Sequence, residues 1–246
     1  MRFDEIVLFP FDALKIALFP KKCICCGEII DEGEDMCYIC QNNIELINPK
    51  KRCKFCGNEK DNCSCKTRVY YFKNIVCVYK NTGLARQALY RFKLSKKSHY
   101  AEYFADKMAH CVMTEFKGIK FSAVTCVPSS LHSKLLRGFD HSKLLAQIIA
   151  EKMKIPFVDG ILKSRHFVKS QHKSDFSSRF ENAKSKYYFV KKAKYKNILL
   201  VDDIKTTGAS LDSCARQLLL AGVENVYCAT VLSSGARKKK VEKIQS

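Results

Sequence analysis

The sequence predicts an α/β protein, a parallel sheet flanked by helices, with a small metal-binding module in front of it. Three observations predict this. First, Ile198, Leu199, Leu200 and Val201 form a short apolar run that ends in Asp202, Asp203 and the turn residues Thr206, Thr207, Gly208, Ala209 and Ser210. Leu211, Cys214, Leu218 and Leu219 then recur at helical spacing, so the turn joins a buried strand to a helix. Second, similar apolar runs at 121–127 and 226–232 alternate with helix-period segments. Third, nine of the 14 cysteines fall before residue 66, mostly in C-x2-C pairs.

Taken in order, residues 1–19 read as an N-terminal packing helix, broken by Pro10, with Leu14, Ala17 and Leu18 at helical spacing. A free helix of this length is marginal, so it is expected to lean on its neighbour. Its few basic residues argue against a membrane-surface role. Residues 20–66 form the cysteine module. Cys23 with Cys26, Cys37 with Cys40, and Cys53 with Cys56 are C-x2-C pairs, and Cys63 with Cys65 is a tighter C-x-C. Eight thiolates make two tetrahedral four-cysteine sites, and zinc is the expected ion. Pairing in sequence gives Cys23, Cys26, Cys37 and Cys40 on one ion and Cys53, Cys56, Cys63 and Cys65 on the other; interleaved pairing satisfies the spacing equally well. Cys25 is an alternative to Cys26. Closed four-thiolate sites leave no position for water, so both zincs are expected to be structural.

Residues 67–235 carry the α/β domain. A strand is expected over Tyr70 to Tyr79, then a helix opening at Gly83 and Leu84 that presents Arg86, Arg91 and Lys93 beside Leu89, Tyr90 and Phe92. A longer helix follows from about His99 to Phe116, with Phe104, Met108 and either Cys111 or Val112 facing inward. The strand at 121–127 ends at Pro128, Ser129 and Ser130, and Leu144, Leu145, Ile148 and Ile149 mark another amphipathic helix. Residues 236–246 are a basic tail.

Charge is unevenly placed. Residues 1–66 hold 10 Lys and Arg against 11 Asp and Glu, whereas the remainder holds 34 against 13, so all of the net +20 lies beyond the cysteines. A polyanion would meet the carboxy-terminal part first. Segment 163–196 has eleven basic and two acidic residues interleaved with Phe167, Phe176, Phe180, Tyr187, Tyr188, Phe189 and Tyr195. Cations beside rings suit single-stranded nucleic acid, with Arg165, Lys169, Lys173 and Arg179 as candidate contacts. The competing reading puts Phe180 on a core-facing helix and Tyr187 to Val190 on a strand. No apolar stretch approaches the roughly 20 residues of a membrane span. The first twenty residues lack a small-residue cleavage site, and a cytoplasmic protein is expected.

The acid pair and the turn after it define the chemistry. Backbone N–H groups at a helix start, close approach at Gly208, and the hydroxyls of Thr206, Thr207 and Ser210 suit a phosphate. Adjacent carboxylates would repel that phosphate unless a ribose separates them, its hydroxyls donating to Asp202 and Asp203; a magnesium ion can share the same groups. V-D-D-I-K-T-T-G-A-S resembles the phosphoribosyl-pyrophosphate (PRPP) signature of type I phosphoribosyltransferases. V-P-S-S at 127–130, R-G-F-D at 137–140, the spaced Arg165, Gln171, Arg179 and Asn182, and the cysteine pairs narrow the resemblance to the ComF-like branch.

That resemblance implies a type I phosphoribosyltransferase-like sheet behind a zinc-ribbon module. The implied catalytic acids are Asp202 and Asp203. The implied PRPP ligands are Asp202, Asp203, Thr206, Thr207, Gly208, Ala209, Ser210, Pro128, Ser129, Ser130 and Arg137, with magnesium bound alongside PRPP. It further implies assistance to single-stranded DNA during natural transformation, with a competence or helicase-like protein as partner. Two other readings stay open. A true transferase would act on an unidentified nucleophile, although Thr206 stands where purine-using relatives often carry a proton-accepting acid. An adaptor would bind proteins through residues 1–66 and keep a vestigial site.

Overall fold

The computed structural model describes residues 18–63, 65, 69–94, 98–129, 140–165 and 186–235. Residues 1–17 of the N-terminal helix expected over 1–19, the tail at 236–246, and Ser130, Arg137, Lys169, Lys173 and Arg179 lie outside the described residues. Four strands build the central sheet: β1 (Asn74–Lys80), β2 (Ala123–Cys126), β5 (Asn197–Lys205) and β6 (Asn225–Ser233), in the order β1-β6-β5-β2 and parallel throughout. Helices cover both faces, so the strands read as continuous apolar runs rather than alternating ones. Ile198, Leu199, Leu200 and Val201 in β5 are all fully buried.

Among the described residues five α-helices accompany the sheet: α1 (Tyr38–Asn43), α2 (Gly83–Leu94), α3 (Ser98–Glu115), α4 (His141–Lys152) and α5 (Ala209–Ala221). One core lies between the sheet and α2, α3 and α4, and the other lies under α5. Of the inward candidates on α3, Phe104, Met108 and Val112 are fully buried, whereas Cys111 is only partly covered. A short antiparallel pair, β3 (Leu162–Ser164) with β4 (Tyr187–Phe189), stands outside the main sheet. Among the described residues no helix is long and apolar enough to cross a membrane.

The strand expected over Tyr70 to Tyr79 begins four residues late. The backbone N–H of Tyr71 donates to the Asp212 carboxylate at 2.7 Å instead of to a neighbouring strand. The ladder to β6 opens only at Lys73, whose N–H reaches Val226 O at 2.8 Å. Tyr70 therefore stacks on Phe72, with ring centroids 4.8 Å apart, beside the start of α5.

The cysteine block contains one structural unit twice, displaced by 30 residues. Cys23 N–H donates to Glu28 O and Gly27 N–H to Cys23 O; Cys53 N–H donates to Asn58 O and Gly57 N–H to Cys53 O. Antiparallel bridges Lys22 to Ile29 and Arg52 to Glu59 close the two turns. Neither unit stands apart from the sheet. Ile24, Cys25 and Met36 join the core that holds Val76, Phe92 and Phe104, and Arg91 of α2 donates to the carbonyls of Cys25 (3.0 Å) and Cys26 (2.7 Å). The second unit sits on β1 and β6. Arg52 donates to Ile75 O and pairs with Glu115 at the end of α3 at 2.8 Å, and Asn58 Nδ2 donates to Ser234 O at 3.0 Å.

Single segments cover both sheet edges. Leu46 forms an antiparallel bridge to Tyr79, flanked by Ile47 N–H to Val78 O and Lys80 N–H to Glu45 O. At the other side Val124 N–H donates to Pro156 O and Val124 O accepts from Val158 N–H.

Gly57 tests the seating of the second unit. It has φ +71°, and a Cβ there would lie 2.3 Å from Cys77 Sγ. Gly57→Ala should cost on the order of 2–4 kcal/mol through left-handed strain plus overpacking. Gly33→Ala, where a Cβ meets nothing within 4 Å, should stay within about 0.5 kcal/mol. Chemical denaturation of both variants checks this, and equal effects would show that the unit is not packed on β1.

Candidate functional site

Asp202 and Asp203 lie near the carboxyl end of β5, still paired with β6, and adjacent strand residues point to opposite sides. The two acids accordingly have different partners. Asp202 Oδ1 accepts from Ser142 Oγ at the start of α4 (2.8 Å) and from the backbone N–H of Asp203 (2.9 Å). Asp203 pairs through Oδ2 with the Lys93 ammonium of α2 at 2.7 Å. Burial, followed by repulsion from Asp203, pushes the Asp202 carboxyl up to about 7, with the Ser142 hydrogen bond working the other way. Neither Ser142 nor Lys93 was singled out as an acid partner in the sequence, because both lie far from the acids in the chain.

The five residues after β5 form the expected bend into α5. Gly208 is the N-cap of α5 at φ +83°, ψ 0°, a conformation that disfavours a side chain. Asp212 N–H bonds to Gly208 O at 2.9 Å, and Ala209 N–H reaches Thr207 Oγ1 at 3.3 Å. Together with Asp202, Ile204, Lys205 and Leu211, residues 206–210 line a small concavity. Thr206 is exposed at its mouth and Thr207 is buried. The Tyr70 ring borders Gly208, with Cε1 3.5 Å from where a Cβ would sit. A helix start, a glycine bend and hydroxyls around a concavity are what a phosphate group needs.

Pro128 and Ser129 follow β2, the strand beside β5, and are both half-buried. Ser129 Oγ donates to Asp140 Oδ1 at 2.9 Å, and Ser129 O accepts from Ser164 Oγ at 3.3 Å. Asp140 also caps α4 by accepting from Lys143 N–H at 3.3 Å. Asp140 therefore links the Ser129 loop to the helix that carries Ser142.

Among the described residues the cysteine ligands gather in sequence order. Cys23, Cys26, Cys37 and Cys40 bring their Sγ atoms within 4.8 Å of one another, and so do Cys53, Cys56, Cys63 and Cys65. Sulfur separations include 3.7 Å for Cys26 to Cys37 and 3.5 Å for both Cys53 to Cys65 and Cys56 to Cys63. A tetrahedral zinc with Zn–S of about 2.3 Å sets its sulfurs about 3.8 Å apart, so both sets fit one ion each. Burial opposes ionisation at Cys23 and Cys53, but backbone N–H groups more than offset it and bring these thiols to about 6 and about 7. Cys25 is fully buried and turned away, its thiol donating to Met36 Sδ at 3.3 Å, which leaves Cys26 as the ligand.

The described part of the basic-aromatic segment is the β3-β4 pair and its flanks. Tyr187 is buried, whereas Tyr188 and Phe189 are half-exposed, so the strand withdraws one ring rather than all three. Cations lie over each: Lys186 over Tyr187 at 5.3 Å, Arg165 over Tyr188 at 5.6 Å and Lys192 over Phe189 at 5.6 Å. Lys191, Lys192, Lys194 and Lys196 are exposed nearby.

Comparison with known proteins bears on this arrangement. The phosphoribosyl transferase domain family matches residues 141–246, the part that holds the acid pair and the bend. The chain is 27% identical to Competence protein F of Haemophilus influenzae over 107 residues, 42% of this chain and 47% of that protein, so it spans about half that relative's length. It is 24% identical to Competence protein ComFC of Bacillus subtilis over 207 residues, 79% of this chain and 82% of that protein. An adenine phosphoribosyltransferase structure superposes with a TM-score of 0.39 at 14% identity, covering 58% of this chain and 75% of that one. With the parallel sheet and the two four-cysteine clusters already in place, the domain match and the two competence relatives support a ComF-like protein of phosphoribosyltransferase fold.

Proposed function

We propose that the chain binds PRPP with magnesium, and that it does so to serve the handling of single-stranded DNA in natural transformation. The observation that carries the first part is the placement of two acids and a hydroxyl-rich helix start at one end of β5, where open α/β sheets hold their ligands. In this reading Asp202 and Asp203 accept the ribose hydroxyls and share a magnesium ion, residues 206–210 hold the 5-phosphate, and Pro128, Ser129, Ser130 and Arg137 face the pyrophosphate. Magnesium would supply charge neutralisation at the diphosphate. Lys93 holds Asp203 in place before ligand arrives.

Calorimetry with Mg·PRPP tests this. Wild type should bind, and Asp202→Asn with Asp203→Asn should not. Affinity should rise between pH 6 and pH 8 as Asp202 ionises around pH 7. The folded carboxyl lies above its ordinary value, so Asp202 favours the fold fully below about pH 4 and that contribution is lost as pH rises through 7. Asp202→Asn alone should therefore be more stable than wild type at pH 8, by on the order of 1–3 kcal/mol. Affinity that is flat with pH, or undiminished in the double variant, would sink the assignment.

The competence names of the two relatives and the exposed rings and cations around β3 and β4 support the DNA role. We infer contacts from Arg165, Lys169, Lys173 and Arg179 to a single strand. In gel shifts, affinity for a single-stranded oligonucleotide should fall roughly tenfold or more between 50 and 200 mM salt, as neutralising about three phosphates requires. A response flat in salt would count against it.

We further infer one structural zinc per four-cysteine cluster. Zinc analysis of purified protein should give two equivalents, falling to one in Cys26→Ser and staying at two in Cys25→Ser. Chelation should lower the unfolding temperature. Equal zinc loss in the two serine variants would show that Cys25 is a ligand after all.

A further inference from the structure

Lys205 has so far had no role. It is only 5% exposed, and a lysine buried that far needs anionic company. Among the described residues no carboxylate pairs with its ammonium. On one side its Cε lies 3.6 Å from the position of a Cβ on Gly208, and it lines the concavity with residues 206–210. On the other side stands the second cysteine cluster. Lys205 pairs in register with Ser233 of β6, whose hydroxyl reaches Cys56 O at 3.4 Å.

Hydrogen bonds tie the same strand end to the second cysteine unit. Ser234 N–H donates to Lys205 O at 2.9 Å. Asn58 Nδ2 donates to Ser234 O at 3.0 Å and contacts Cys56 Sγ at 3.8 Å, while Ser233 Oγ donates to Cys56 O at 3.4 Å. The backbone of Lys205 therefore cannot shift without moving the turn that presents Cys56.

We propose that Lys205 is a shared counter-ion, a positioning residue whose ammonium lies between the Cys53, Cys56, Cys63 and Cys65 cluster and the bend at 206–210 and stabilises an anion at each. The identity of the second anion as a 5-phosphate rests on the PRPP reading above. One zinc with four thiolates carries a net charge of about −2, and a phosphate monoester carries about −1.5 to −2 at neutral pH. Two such charges facing one another repel, and a cation fixed between them offsets the repulsion for both. Methionine at position 205 keeps the length of the side chain and removes the charge.

Lys205→Met in the full chain tests this with two readouts. Affinity for Mg·PRPP should fall about tenfold or more, the scale of one lost charge-assisted contact, while affinity for Mg·pyrophosphate, which has no 5-phosphate, should stay within about twofold. Zinc release to a chromophoric chelator should accelerate for one of the two ions and not for the other. Equal losses for PRPP and pyrophosphate would reveal a general structural defect and overturn the proposal, and so would unchanged zinc release. Should wild type bind no PRPP, the PRPP reading fails and with it the phosphate half. Release kinetics would then still decide whether the lysine serves the cluster.

Discussion

Two carboxylates on consecutive residues at the end of a strand buried on both faces repel one another, and the fold around β5 is arranged to relieve that repulsion. Alternation sends Asp202 and Asp203 to different sides of the sheet, so no single group can satisfy both. A hydroxyl on α4 and a backbone amide meet the first, and an ammonium at the end of α2 meets the second. Those contacts fix where both helices sit. Asp140 caps α4 and accepts from Ser129, so the loop after β2 is held in the same arrangement. Each acid thereby has a partner within hydrogen-bond reach at the carboxyl end of the strand.

The cysteine block enters that arrangement instead of standing in front of it. Its first unit contributes Ile24, Cys25 and Met36 to the core beneath α2 and α3. Its second unit rests on β1 and β6, with Gly57 pressed against Cys77. A short segment built around two four-cysteine clusters cannot assemble a large interior alone. It obtains one by sharing the interior of the sheet. The chain beyond the second cluster then crosses to α5, where Tyr71 is bonded to Asp212 and Tyr70 lies beside Gly208. Metal ligands and the glycine bend are thus linked through covalent chain as well as through contact.

What the sequence made legible follows from local physics. An uninterrupted apolar run, two acids and a glycine bend announce β5 and α5, because burial, charge and backbone freedom act within a few residues. Cysteine spacing likewise announced two four-thiolate sets, but C-x2-C pairs look alike whichever partner they take, so only the three-dimensional path chose pairing in sequence. Tyr70 to Phe72 read as strand from the alternation and β-branching of 69–79, yet Asp212, 141 residues beyond Tyr71, takes the Tyr71 N–H. Ser142 escaped notice, and Lys93 read only as one of three cations on its helix, for the same reason: what makes a serine or lysine matter is a neighbour distant in the chain. Lys205 stood in plain view within the signature, and nothing local showed that it is buried beside Gly208.

The antiparallel stretch at 45–47 lies along β1 and takes up hydrogen-bonding groups that an outermost strand otherwise offers to solvent. Parallel sheets left bare on one side recruit whatever backbone comes near, including other copies of themselves. A shortened protein beginning after the cysteines would uncover that row, and its tendency to aggregate would reflect a missing cover strip rather than any defect in the sheet. Solubility of the transferase-like half is in this sense a property lent by the segment before it.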